Sequence, residues 1–314
     1  MSTTTTDTYD QVGIREDLVN VIYNVDPDQT PFLSMAPKNK AKNTLHEWQT
    51  DGYDAVADNK AVQGADAVFT AASPTVRLNN RTQISTKTAA IAGTTEATDR
   101  AGRDKEMTYQ MMKRAVEIKR DMENALVGLN NAKVTGSSSV PAELASYQTW
   151  VTSNVSRGAT GASATGDGTD AATDGTQRPF TEALLEAVVD SIFTNSGEFA
   201  DCVLVGSFNK RAMNAFVGRA TTTDHNVAAK SIISAADVYK SDYGDLKIIP
   251  SRYSRQREAI IYRKDKWAVS FLRNMTTLDI ARTGDAEKKQ IVCEYTLEAR
   301  NEASSGIVAD LTTA

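Results

Sequence analysis

The chain has 314 residues, of which 40% are hydrophobic and 24% charged, enough apolar matter for a substantial core and too much for global disorder. Its 35 Lys+Arg against 40 Asp+Glu give a net charge of −5, unlike the strongly basic balance of a dedicated nucleic-acid-binding domain. Two cysteines, Cys202 and Cys293, exclude a disulfide framework and a cysteine-rich zinc site, and both lie in apolar runs that predict buried, reduced thiols.

The N-terminal sequence MSTTTTDTYDQ has no basic or apolar stretch, so no signal peptide is expected, and no run approaches a membrane span of about 20 apolar residues. The reading is of a soluble intracellular chain. Residues 1–48 open polar and Thr-rich, with a short helical pattern in REDLVNVIYNV. Pro27, Pro31 and Pro37 then favour an extended arm. Acidic residues lead this arm and Lys38, Lys40 and Lys42 close it.

Residues 44–92 read as β structure interrupted by a long excursion. TLHEWQT begins it and TVRLNNRTQISTKTAAIAG ends it, while DGYDAVADNKAVQGADAVF between them is small, polar and Gly-punctuated. A stretch of that length with no core-forming run needs another surface to lie on.

The clearest helix is expected over 98–128. Met107, Met111, Ala115, Ile118, Met122 and Ala125 recur at helical period, with Lys113–Glu117 and Lys119–Glu123 spaced for i,i+4 ion pairs. Thr98 or Asp99 is placed to cap its start and Gly128 its end, giving a rod of roughly 45 Å. Residues 131–178 read mostly as loop, and the Gly/Ser/Thr/Ala-rich run 157–178 as a flexible surface segment.

From Pro179 the pattern is compact and mixed. Leu184, Leu185, Val188, Val189, Ile192 and Phe193 mark an amphipathic helix ending at Asn195-Ser196-Gly197. CVLV reads as a buried strand, FNKRAMNAFVG as a helix and YGDLKIIP as a strand. EAIIYRKDKWAVSFL is expected to form a hairpin turning at Arg263–Lys266. Ile291, Cys293, Tyr295, Leu297 and Ala299 alternate strictly, predicting a long half-buried strand.

The search for chemistry returns little. His46 and His225 stand in no ligand spacing, and neither a phosphate-cradling GxxxxGK[ST] nor a GxGxxG occurs. Asp167, Asp170 and Asp174 are misspaced for a calcium loop, with Arg178 where its bidentate glutamate belongs. No catalytic residue, metal site or cofactor is expected, and the chain does not read as an enzyme. One basic stretch, Lys247, Arg252, Arg255, Arg257, Arg263, Lys264 and Lys266, has Tyr253 and Tyr262 interleaved. It fits either contact with nucleic-acid phosphate or an intersubunit face that meets acidic neighbours.

Five segments in order, TPFLSMAPKNKAKNTLHEWQTD, LNNRTQISTKTAAIAGTTEA, EMTYQMMKRAVEIKRDMENALVG, VLVGSFNKRAMNAF and KKQIVCEYTLEARNEASSGIVADL, closely resemble major capsid (head) proteins of tailed bacteriophages. The resemblance runs from about Asp10 to Leu311. It implies an α+β Hong Kong 97-like capsid fold: N-terminal arm 1–48, E-loop hairpin 49–93, peripheral domain from 94–178 with spine helix 98–128, axial domain 179–257, and a return to the peripheral domain over 258–314.

The resemblance implies self-assembly through hexamers and pentamers into an icosahedral virion head around double-stranded DNA, put together in the cytoplasm of the bacterial host. A portal is an implied partner, and so are decoration proteins, for which 157–178 is a docking place. The short arm leaves no room for a fused scaffolding domain, so scaffolding is expected to be separate. An encapsulin-like compartment of the same fold is the alternative; a nucleic-acid-binding module using Lys247–Lys266 is one from another class. Intersubunit contacts are expected of Lys60, Arg77, Arg81 and Lys87 in the E-loop, against Glu106, Glu117, Asp121 and Glu123 of the spine helix.

Overall fold

The computed structural model describes residues 29–64, 66–67, 69, 71–98, 102, 104–216 and 238–313. The helical pattern expected in REDLVNVIYNV and His225 lie outside these residues. Helix α1 (Pro31–Met35) opens the described chain, with a proline at its start where a missing N–H costs nothing. Strands β1 (Lys38–Lys40) and β2 (Leu45–Thr50) follow, and β3 (Val76–Arg81) pairs antiparallel with β2 after the excursion. Next come β4 (Gln83–Ala92), α2 (Gly93–Ala97) and α3 (Glu106–Glu123).

Helix α3 begins later than its sequence pattern suggests. Gly102 sits in the left-handed region at φ 82°, which breaks any helix running in from Thr98. The N-cap of α3 is Lys105, which makes no side-chain cap; the Glu96 carboxylate instead accepts the Met107 N–H at 3.3 Å, and Asp99 lies outside the described residues. The far end widens into a π-type turn over Asn124–Gly128. The apolar stripe faces inward: Met107, Ile118, Met122 and Ala125 are buried.

The remaining elements are β5 (Val155–Ser156), α4 (Glu182–Ser196), β6 (Cys202–Val205), α5 (Ser207–Asn214), β7 (Val238–Lys240), β8 (Asp245–Pro250), β9 (Ala259–Tyr262), β10 (Trp267–Ile280), β11 (Ala286–Ala299) and β12 (Gly306–Val308). Helix α4 stops where its sequence says, with Gly197 left-handed at φ 66° and its N–H returning to Phe193 O.

Two sheets carry the fold, one of order β1-β10-β11-β4 and one of order β5-β12-β9-β6-β8-β7. The second is a wall with a core on each face, because side chains alternate along a strand. Cys202, Leu204, Ile260 and Tyr262 point into a core shared with α1, α3 and β11. Val203, Val205, Ala259 and Ile261 point into one built on α4 and β8. The two cores therefore belong to one body.

Three expectations are corrected. β9 and β10 are not a hairpin: β9 lies between β12 and β6, and β10 between β1 and β11, so the Lys264–Lys266 turn carries the chain from one sheet to the other. Both edges of each strand are already occupied by other partners. β11 is buried on both faces, not one, since Glu294, Thr296 and Glu298 are buried opposite its apolar row.

The run 157–178 is not loose. Its small residues permit close approach, with Gly168 against Trp150 and Gly158 against the Thr176 carbonyl, and Ala162 bridges Thr173. Asp310 gathers the segment, accepting the N–H groups of Gly158 and Gly175 at 3.0 and 2.8 Å.

Candidate assembly interfaces

The most exposed part of the described chain is the segment between β2 and β3. Residues 51–75 form no helix or strand where they are described. Tyr53, Val56, Val62 and Phe69 stand 80–106% exposed. These side chains touch nothing that shields them, although most large hydrophobes elsewhere are buried.

Its root is held tightly. On β11, Glu298 accepts from His46 Nε2 (3.2 Å), Asn39 Nδ2 (3.2 Å), Ser270 Oγ (3.0 Å) and Arg300 Nε (3.0 Å). Burial alone would raise its pKa, but these four donors pull it down to about 2. The Trp48 indole N–H donates to Ala299 O at 2.7 Å, and Asn80 Nδ2 donates to Leu297 O at 2.8 Å. His46, one of the two histidines, is thus part of a structural joint.

A second joint fixes the entry of the chain into the body. Glu123 is fully buried, and its two carboxylate oxygens accept the N–H groups of Phe32 and Leu33 at 2.9 and 2.8 Å. It caps α1 from another element, where donors at a helix start have no internal partner. Phe32 then inserts between Tyr147 and Tyr262, with centroids at 6.2 and 5.3 Å. Burial, opposed by the two N–H bonds, pushes the Glu123 pKa up to about 7.

The charged residues expected at subunit contacts fall into distinct settings. Lys60 pairs with Asp58 within the exposed segment at 2.5 Å, and Arg77 pairs with Glu47 across the strand pair. Arg81 is half-buried at the end of β3. Lys87 meets Asp121 at 2.7 Å in its own chain. Glu117 pairs with Arg114, not Lys113, and Glu106 is buried and accepts from Gln110. Glu123, enclosed in the α1 joint, is withdrawn as a subunit contact and as an i,i+4 partner of Lys119.

The basic stretch 247–266 is largely neutralised internally. Arg255 bonds Asp174 (2.5 Å) and Glu258 (2.5 Å), while Arg257 bonds Asp174 (3.1 Å) and Asp310 (2.7 Å). The Arg255 guanidinium holds the Asp174 carboxyl below its ordinary range. Arg263 pairs with Asp265 and Lys266 with Glu198, leaving Lys247, Arg252 and Lys264 as the exposed members. The stretch welds 157–178 to the body, a role that its sequence spacing does not reveal.

Among the described residues no group of three or more His, Cys, Asp or Glu is placed to hold a metal, and no helix is long and apolar enough to cross a membrane. A 570 Å³ cleft beside α4, lined by Glu182, Glu186, Asp190, Tyr239 and Tyr243, has its phenols bonded to its own carboxylates.

A family model described as SU10 major capsid protein matches residues 1–312. The major capsid protein of Escherichia phage Phieco32 is 28% identical over 338 aligned positions, covering 96% of this chain and 95% of that relative. Among solved structures, the capsid of a native GTA particle superposes with a TM-score of 0.65 at 12% identity, covering 97% of this chain and 98% of that one. A structure of phage G gp27 major capsid proteins and gp26 decoration proteins gives 0.55 at 11% identity, covering 98% and 100%.

Proposed function

The chain belongs to the SU10 major capsid protein family and has the Hong Kong 97-like capsid fold, and on that premise we propose that it closes through hexamers and pentamers into the icosahedral head around a phage's double-stranded DNA. It is a structural, capsid-forming protein of the virion head. Its work is binding, without a catalytic step.

The observation that carries the reading is the segment 51–75. Four large apolar side chains are held out in solvent on a root fixed by Glu298, Trp48 and Asn80. Such a projection has no use within one subunit and is complete only against another. In this reading 1–48 is the N-terminal arm, 49–93 the E-loop, 94–178 with 258–314 the peripheral domain, and 179–257 the axial domain. The two cores share one sheet as a wall, and the body they make holds α1 and β1 and carries the projecting segment 51–75.

A separate scaffolding protein, a portal and decoration proteins are the partners this role requires, with assembly in the host cytoplasm. The internal neutralisation of Arg255 and Arg257 and the net charge of −5 keep the shell from gripping DNA, so that the genome enters and leaves freely. Lys247, Arg252 and Lys264 are the members of the basic stretch left to face DNA or a neighbour.

Negative-stain electron microscopy of the protein expressed with the adjoining head genes tests the reading. Closed shells, or five- and six-fold rings, are expected, and nuclease-protected DNA in native particles separates a genome container from a protein-filled compartment. A uniform monomer under those conditions refutes the assembly role.

A further inference from the structure

An aspartate followed by glycine is a chemically labile step, because glycine has no side chain to keep its backbone nitrogen from the neighbouring carboxyl. The chain has three such steps, Asp51-Gly52, Asp167-Gly168 and Asp174-Gly175. The fold treats them differently. Asp167 accepts from Thr165 Oγ1, Thr169 N and Thr169 Oγ1 at 2.9, 2.8 and 2.6 Å, and Gly168 is packed against Ala145 and Trp150. Asp174 is bonded to Arg255 and Arg257, and the Gly175 N–H is taken by Asp310 Oδ1 at 2.8 Å.

Asp51-Gly52 is held by none of these means. Both residues are exposed, and among the described residues nothing but the chain neighbours of Gly52 lies within 4 Å of the place its side chain would occupy. The Gly52 N–H donates to Asp51 Oδ1 at 3.0 Å, which sets the amide nitrogen against the carboxyl group next to it. The other acids of the segment, Asp54, Asp58 and Asp66, precede Ala55, Asn59 and Ala67, whose Cβ atoms hinder the same approach.

We propose that Asp51-Gly52 is a modification site, at which the unassembled subunit converts aspartate into isoaspartate without an enzyme. The Gly52 nitrogen attacks Asp51 Cγ and forms a C–N bond, while the carboxyl OH and the amide proton leave as water, so that a succinimide ring remains. Water then adds to the α-carbonyl carbon and breaks its bond to nitrogen. The main chain now runs through the Asp51 side chain, and the former α-carbonyl is a free carboxylate. The water lost is the water regained, so the conversion needs no co-reactant. Its product places one extra carbon in the backbone directly after β2, whose last residue, Thr50, pairs with Val76. Side chains of an extended chain alternate, so an added backbone atom turns those that follow, Tyr53 among them, away from their original direction relative to the root.

Purified unassembled subunits held for several days near neutral pH, in buffer and in urea, provide the test. Endoproteinase Asp-N does not cleave at isoaspartate, and electron-transfer fragmentation of the peptides locates the β-linkage. In buffer, isoaspartate is expected to accumulate at Asp51 and not at Asp167 or Asp174, whereas in urea all three form it. Gly52→Val is expected to slow the conversion at Asp51 about ten-fold, since a β-branched side chain shields the nitrogen. No isoaspartate at Asp51 in buffer, or equal amounts at Asp167 and Asp174, overturns the inference. A consequence for assembly rests on the self-assembly reading: heads formed from a partly converted pool are expected to hold a smaller share of isoaspartate at Asp51 than the subunits left over. An equal share overturns that consequence and leaves the modification site standing. Failure of fresh subunits to form any assembly counts against the self-assembly reading and not against the site.

Discussion

Glu123 is the residue whose replacement tests the energetics of the body most sharply. Its carboxylate is fully buried against two backbone N–H groups and has a pKa of about 7, against an ordinary value of 4.5. A group whose folded pKa is raised favours the fold while protonated. That contribution is complete below about pH 4.5, declines between 4.5 and 7, and is gone above 7. At about 1.4 kcal/mol per pH unit, the span corresponds to roughly 3 kcal/mol. Glu123→Gln removes the titration and presents an amide with a donor of its own to the N–H groups of Phe32 and Leu33, costing about 1–3 kcal/mol at any pH. The variant is therefore expected to be less stable than the wild type at pH 5 and to draw level with or overtake it by pH 8.5. Urea unfolding of unassembled subunits at the two pH values measures this, and other titrating groups cancel in the difference of differences. A wild-type-minus-Gln gap that is the same at pH 5 and pH 8.5 would refute a buried carboxylate titrating near neutrality.

Glu298 behaves in the opposite sense. With a pKa of about 2 it stabilises the fold above pH 4.5 and loses that effect as pH falls toward 2. Glu298→Ala should cost about 2–3 kcal/mol through its charged hydrogen bonds, and faster amide exchange at His46–Trp48 reports the loosened root. Asp310→Ala removes an acceptor for Arg257, Gly158 and Gly175, so trypsin should cleave after Arg157 far faster than in the wild type. Unchanged cleavage would mean that 157–178 is held by other contacts. Deletion of residues 52–68 should leave the unfolding midpoint of the subunit unchanged and abolish head formation, as light scattering will show; shells from this variant would refute the role given to the segment.

The parts legible in the sequence are those fixed by a single period. The methionine stripe of α3 and the apolar alternation of β11 each name a buried face, and Met122 and Cys293 meet across that core at 3.7 Å. The Gly197 stop of α4 is legible for a similar reason, being a local backbone requirement. What the sequence hides is the second neighbour of a residue. Glu123 stands at i,i+4 from Lys119 and reads as a solvent pair until α1, ninety residues earlier in the chain, is packed on it. Glu294 and Glu298 alternate with apolar residues as solvent-facing positions do, yet Thr82, Arg273, His46 and Asn39 cover them. The run 157–178 has the composition of a linker, and only the close approach its glycines permit makes it part of the body.

The same division explains how the molecule separates folding from assembly. Charges that hold the body together, such as the buried Glu258 and Asp310 with the half-buried Arg255 and Arg257, are satisfied inside one chain. Charges left over, as on 51–75, are exposed, where a single pair contributes about 0–1 kcal/mol. A contact made of such pairs and a few apolar side chains is weak between two subunits, so a misplaced copy dissociates readily. Repetition around a closed shell then makes the whole stable, because each subunit is held by several neighbours at once. High salt should accordingly weaken early assembly while leaving the subunit folded, since screening reaches the exposed pairs and not the enclosed ones.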